Sequence, residues 1–171
     1  DSGVTSVKDM AGKTAASLAT DQAEYLLRRI LVAGGVPADQ VQVIRYNPAT
    51  PLLGLRNGEH DAIFGLEPAI SEAITEGHLL LWRGPVSHFL FNDKPVPVSA
   101  SVIAEDFLAS HPQAVSDFVA MVDDAVAIAQ REPQKVRGYF AKPQYGDIKP
   151  AVVERLFLPV MAKPSDSLKE V

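Results

Sequence analysis

From Lys13 to Trp82 the hydrophobic pattern switches repeatedly between short apolar runs and helical spacing. Lys13-Thr14-Ala15-Ala16-Ser17 follows Met10-Ala11-Gly12 and suits a short buried strand. Leu18-Ala19-Thr20-Asp21 is a turn. Thr20 or Asp21 can cap the helix that follows, and Glu24, three residues after Asp21, suits a capping box. Tyr25, Leu26, Arg29, Ile30 and Ala33 place one mostly apolar stripe on that helix, and Gly34-Gly35 stops it.

Val41-Gln42-Val43-Ile44-Arg45-Tyr46 alternates as a strand does, and Asn47-Pro48 breaks it. Residues 50–57 predict a short helix ended by Gly58, and Asp61 to Leu66 a further short strand. Pro68 opens a helix to about Glu76, because proline is well tolerated in a first turn. Gly77 ends it, and Leu79-Leu80-Leu81-Trp82 reads as one more strand. This alternation predicts an α/β fold: a mostly parallel sheet flanked by helices.

The register changes after Gly84-Pro85. From Phe89 to Val102 the apolar residues are interrupted by Asn92, Lys94, Pro95 and Pro97, which predicts an extended crossover rather than a central strand. Pro112 opens a long helix through about Arg131, with Val115, Phe118, Val119, Val122, Ala125, Val126 and Ala129 as its buried stripe. Pro150 opens another through about Met161, and Lys163-Pro164 begins a polar tail.

Composition removes several classes of function. With 47% hydrophobic and 22% charged residues, the chain is not intrinsically disordered. Its net charge of -5 and the lack of any Lys/Arg cluster argue against a nucleic-acid partner. No apolar run has the length of a membrane span. The absence of cysteine excludes disulfides, Cys-ligated zinc, iron–sulfur clusters and thiol nucleophiles. His60, His78, His88 and His111 have no metal-ligand spacing, and His60, His78 and His111 sit by turns where solvation is expected. No G-x-S-x-G elbow and no glycine-rich phosphate loop occurs. The reading is therefore no enzyme, no cofactor and no metal.

Four segments resemble one family. Val7-Lys8-Asp9-Met10-Ala11-Gly12-Lys13-Thr14 resembles the start of the second lobe of type II periplasmic solute-binding proteins, in the sulfonate, taurine, nitrate and thiamine-precursor branch. Leu55-Arg56-Asn57-Gly58-Glu59-His60-Asp61-Ala62, Glu67-Pro68, and Phe107-Leu108-Ala109-Ser110-His111-Pro112-Gln113-Ala114-Val115 resemble later segments of that branch. The resemblance implies an extracytoplasmic receptor, periplasmic or lipid-anchored, that hands a small-molecule solute to an ABC permease. It also implies a divided chain: residues 1–90 as the ligand-binding α/β lobe, and residues 91–171 as the crossover and C-terminal helices of the other lobe. On that reading the chain is an excised piece without most of the first lobe. Apolar surface is then expected on Val115, Phe118 and Val122 of one helix, and on Val153, Leu156 and Phe157 of another. Two alternatives share the fold: an enzyme such as a thiamine-pyrimidine synthase, whose Cys-rich stretch is missing here, and the sensor domain of a LysR-type regulator.

In open α/β sheets, ligands bind beyond the carboxyl ends of the strands. Three strand-to-helix turns meet that condition: Ser17 to Gln22, Asn47 to Thr50, and Glu67-Pro68. The candidate ligand-binding residues are therefore Ser17, Thr20, Asp21, Gln22, Asn47, Thr50 and Glu67. Asp21 and Glu24 count against a strongly anionic ligand, because like charge offsets the positive end of the helix dipole. Tyr46 and Phe64 are expected to pack in the core or at its rim.

Overall fold

The computed structural model describes residues 2–82, 101–158 and 163. They belong to two compact units, Asp1–Val96 and Pro97–Val171.

The first unit is built on three strands: β1 (Thr14–Ser17), β2 (Gln42–Arg45) and β3 (Ala62–Phe64). Their order is β2-β1-β3 and both pairings are parallel. Ala15 aligns with Val43 on one side and Ala62 on the other, and Ser17 aligns with Arg45 and Phe64. Helices α1 (Asp21–Ala33), α2 (Leu53–Asn57) and α3 (Ala69–Thr75) follow the three strands in turn.

The period-2 alternation of a strand decides which face each residue serves. Ala15, Val43, Ala62 and Phe64 join Leu27 and Leu31 of α1, with Val4, Met10, Val36 and Val41, in one core cluster. Ile63, pointing the other way, joins Leu52, Leu55, Ala69 and Ala73 in a second cluster. So α1 covers one face of the sheet, while α3 and the α2 segment cover the other. This arrangement fits a strand order in which β2 and β3 flank β1, since the two crossovers then run on opposite faces. Small side chains at Ala15 and Ala16, both essentially inaccessible, let the layers approach closely.

Two expectations for this unit are corrected. Leu79 to Trp82 forms no strand; Leu79 and Leu80 are 66% and 40% exposed, and Leu81 alone of the run packs on the core. A strand also needs a hydrogen-bonded neighbour, and the described sheet ends at β3. The helix start is Thr20 alone: its side chain accepts the Ala23 N–H at 3.2 Å, and Asp21 is already the first helical residue. Glu24 closes no capping box, because Arg28 and Arg45 offer it charge-assisted partners at 2.9 and 3.5 Å.

The second unit is helical: α4 (Glu105–Ser110), α5 (Pro112–Arg131), α6 (Pro133–Phe140) and α7 (Pro150–Arg155). Proline opens the last three, where its missing N–H costs nothing. Each helix contacts the next. Arg137 of α6 donates to the carbonyl of Leu156 and to that of Val153, which also accepts the Leu156 N–H, and so ties α6 to the end of α7.

The stripe expected to be buried on α5 is only partly covered. Val126 is buried; Val115, Val119, Val122 and Ala129 are half-buried, while Phe118 and Ala125 are exposed. Helical spacing marks an apolar face, but a partner surface has to cover it before it is core. On the last helix the expected exposure is corrected: Val153 and Leu156 are buried and Phe157 half-buried, through the α6–α7 packing. Most of the expected crossover, together with His88 and the segment around Met161, lies outside the described residues. No helix among the described residues is long and apolar enough to cross a membrane.

Candidate functional site

Because all three strands run the same way in register, their carboxyl ends share one edge of the sheet. The neighbouring strands β1 and β3 send their helices to opposite faces, α1 to one and α3 to the other. A crevice at the carboxyl ends of two such strands is where open α/β sheets take ligands. The β1–α1 and β3–α3 turns border it, bringing Thr20, Asp21 and Gln22 to one side and Glu67 to the other. Asn47 and Thr50 leave the same edge from β2, on the far side of β1.

Each candidate has a structural occupation. Ser17 is completely buried and its hydroxyl donates to the Leu18 carbonyl at 3.1 Å. Thr20 is exposed and caps α1. Asp21 is exposed and ion-paired with Arg45 at 2.5 Å. Gln22 is exposed in the first turn of α1. Asn47 forms a side-chain turn, its amide oxygen accepting the Ala49 N–H at 3.0 Å, and its carbonyl accepts the Thr50 N–H at 3.0 Å. Thr50 is exposed, and its carbonyl accepts the Leu53 N–H at 3.1 Å. Glu67 is half-buried and holds Ser71, accepting its hydroxyl at 3.0 Å and its backbone N–H at 3.2 Å.

Three further residues shape this edge. Arg45, at the end of β2, is held by Asp21 and Glu24, which raise its pKa, the Asp21 hydrogen bond most of all. Ser71, one helical turn beyond Glu67, is fully buried. Tyr46 is buried; its N–H donates to the Ser17 carbonyl at 3.0 Å. Its ring crosses the end of β1 so that its hydroxyl lies 3.3 Å from where a Cβ on Gly65 would stand. Gly65 is thus a close-approach position, with Ile70 equally near at 3.2 Å. The i,i+4 spacing of Glu67 and Ser71 was available as a sequence signal; the Arg45 and Tyr46 contacts depend on sheet order, which local spacing does not carry.

The histidine expectation is corrected at one position. His60 is buried at 6% exposure, packed against Gly54, and its Nε2 has no hydrogen-bond partner. Burial lowers its pKa, against the opposing pull of Glu59 and Asp61. It precedes β3 and so lies at the amino edge, away from the crevice. No group of three or more potential metal ligands occurs among the described residues. In the second unit an open depression of about 300 Å³ is lined by Ala141, Pro143, Gly146, Asp147 and Ile148, which present a single titratable group.

Comparison with known proteins places this geometry. The NMT1/THI5-like family model matches residues 1–136. Proteins named as binding proteins in Brucella abortus strain 2308 and Brucella suis biovar 1 are each 27% identical over 133 residues, covering 78% of this chain and 41% of their own length. The alkanesulfonate-binding protein SsuA of Xanthomonas axonopodis pv. citri, bound to MOPS, superposes with a TM-score of 0.65 at 20% identity over 90% of this chain and 50% of its own. The chain therefore spans about half the length of the proteins it matches, and it shares the fold of a type II periplasmic binding protein.

Proposed function

The chain belongs to the NMT1/THI5-like family, and we propose that it is the ligand-capturing part of an extracytoplasmic solute-binding protein that delivers a small polar solute to an ABC permease. The observation that carries this reading is the shared carboxyl edge of β1 and β3, bordered by polar turns from adjacent strands whose helices diverge. Thr20, Asp21, Gln22 and Glu67 are its proposed contacts, with Ser17 beneath and Asn47 and Thr50 at its flank. Residues 1–90 are the ligand-binding lobe and residues 91–171 belong with a second lobe. Closure of two lobes on a solute is the signal a permease reads. The protein works in the periplasm or is held there by a lipid anchor.

Its role is binding rather than catalysis. The buried hydroxyls at this edge, Ser17 and Ser71, are inaccessible to a substrate and donate to a carbonyl and a carboxylate. Neither is paired with a histidine that could activate it. A thermal-shift screen of the protein against sulfonates, nitrate, amines and neutral pyrimidines tests the proposal. A true solute at a hundred times its Kd stabilises by about 2.7 kcal/mol. A screen in which no compound moves the transition would remove the reading.

A further inference from the structure

Period-2 alternation puts Ala16, Ile44 and Ile63, which lie in register, on the sheet face that α3 covers. Tyr46 follows Ile44 by two residues and Gly65 follows Ile63 by two, so both belong to that face at the carboxyl edge. The Tyr46 N–H still donates to the Ser17 carbonyl, which anchors its backbone beside β1. From there its side chain spans β1 and delivers the hydroxyl to the end of β3. A Cβ on Gly65 would stand 3.3 Å from that hydroxyl, 3.2 Å from Cδ1 of Ile70 and 3.6 Å from Cδ1 of Ile63. Ile63, Gly65 and Ile70 are half-buried, so this corner is open to solvent in part.

Tyr46 is 8% exposed, yet its hydroxyl has no hydrogen-bond partner among the described residues. Burial raises its pKa, so the group keeps its proton and can donate. A hydroxyl held without a partner among isoleucine methyls carries a desolvation cost. A ligand atom that accepts from it removes that cost, and the apolar surroundings strengthen the bond. The ring and the two isoleucines present hydrocarbon around this one donor. Small-molecule sites are commonly lined in that way, with few polar groups set in an apolar wall.

We propose that Tyr46, Ile63, Gly65 and Ile70 form a subsite for an organic solute that carries an acceptor oxygen beside a hydrocarbon portion. The Tyr46 hydroxyl donates to the oxygen, the ring and isoleucines cover the hydrocarbon, and Gly65 leaves the space between them clear. This rests on the solute-binding reading above and narrows its substrate class, whatever charge the solute bears. An inorganic oxyanion such as nitrate can accept the hydrogen bond but has no carbon to lay on the wall.

The test is isothermal titration with two charge-matched pairs: ethanesulfonate against nitrate, and uracil against urea at low concentration. A sulfonate or pyrimidine of the wider screen that binds more tightly replaces the organic member of its pair. That member is expected to bind on the order of tenfold more tightly than its inorganic or smaller counterpart, from the extra carbon covered. Wild type is compared with Tyr46→Phe and Gly65→Ala, with thermal unfolding of each protein as the check on the fold. Tyr46→Phe keeps the ring and removes a hydroxyl that no described residue uses. Its melting temperature should therefore not fall, while its affinity for the organic probe drops roughly three- to tenfold, the loss of one hydrogen bond. A merely structural tyrosine would not separate the two readouts. Gly65→Ala sets a Cβ between the hydroxyl and Ile70 and is expected to weaken the same probe. Nitrate or urea bound as tightly as its organic counterpart overturns the substrate class. Unchanged affinity in a folded Tyr46→Phe protein overturns the subsite while the solute-binding reading stands. So does a wild type that binds only an amine, which offers Tyr46 no acceptor oxygen. No binding anywhere in the screen removes the solute-binding reading as well.

Discussion

Thr14 and Asp61 are joined by a reciprocal pair of hydrogen bonds: the Thr14 N–H donates to the Asp61 carboxylate at 2.9 Å, and the Asp61 N–H donates to the Thr14 carbonyl at 2.8 Å. Lys13 stands 4.0 Å from the same carboxylate. The pair sits where β1 and β3 begin, so it sets their register before the ladder starts. It also explains two segments that resemble the solute-binding family. Gly12-Lys13-Thr14 and Asp61-Ala62 meet at the amino edge and hold the sheet together, away from the crevice.

Removing that carboxylate leaves a half-buried N–H without its acceptor. Asp61→Ala is expected to cost about 1.5–3 kcal/mol, the range for a hydrogen bond to a charged group. Asp61→Asn should cost less, because an amide oxygen can still accept from Thr14. Urea unfolding of the two variants beside wild type measures the difference. Equal midpoints for all three would mean that water replaces the carboxylate.

The strands β1, β2 and β3 and the helices after them were legible because each begins or ends on a local signal. Thr20 caps, Gly34 and Gly58 stop, and Val41 to Tyr46 alternates. Leu79 to Trp82 carries the same apolar signal without becoming a strand, since a strand needs a paired neighbour as well as side chains. The apolar face of α5 was visible, but spacing cannot say what covers Phe118. The candidate site was legible as three turns on one edge. That Asp21 is engaged by Arg45, and that Tyr46 reaches Gly65, both follow from the strand order β2-β1-β3, a long-range fact.

Gly54 is a packing glycine. A Cβ added there would stand 2.4 Å from the Cε1 of His60 and 2.7 Å from its Nδ1, so the ring would have to leave its place. Gly54→Ala is expected to destabilise by about 1–3 kcal/mol, the usual cost of overpacking. Alanine's better helix propensity offsets at most about 1 kcal/mol of this. Thermal unfolding at neutral pH reads the net loss, and a stabilised variant would refute the packing role.

His60 gives the fold a pH dependence of definite sign. Burial holds its folded pKa below the ordinary 6.5, so the unfolded chain binds the proton more readily. By linkage, stability is complete above that ordinary value. It falls as the pH drops below it towards the folded pKa, then levels off. Glu59 and Asp61 flank the ring and reduce the effect without reversing it. Unfolding midpoints measured between pH 8 and pH 5 should fall more steeply for wild type than for His60→Phe, which keeps a ring and cannot titrate. Parallel profiles would assign the decline to other groups.

Glu67 holds Ser71 and is proposed to meet the solute, two tasks that one substitution would confuse. Its carboxylate accepts the N–H and hydroxyl of Ser71, and Ser71 is fully buried, so Glu67→Ala strands two donors at the start of α3. A loss of about 1–3 kcal/mol in folding stability is expected for that variant whether or not Glu67 meets a solute. Glu67→Gln separates the tasks. Its amide oxygen can accept from the Ser71 hydroxyl, so most of the stability should remain, while the negative charge is gone. If the carboxylate pairs with a cationic solute, Glu67→Gln binds it about tenfold or more weakly, because the lost interaction is charge-assisted. If the solute is neutral, the loss is smaller and Glu67→Ala adds little beyond it once folding is accounted for. Stability and affinity measured on the same three proteins decide between these outcomes. An affinity unchanged in both variants would remove Glu67 from the proposed solute contacts.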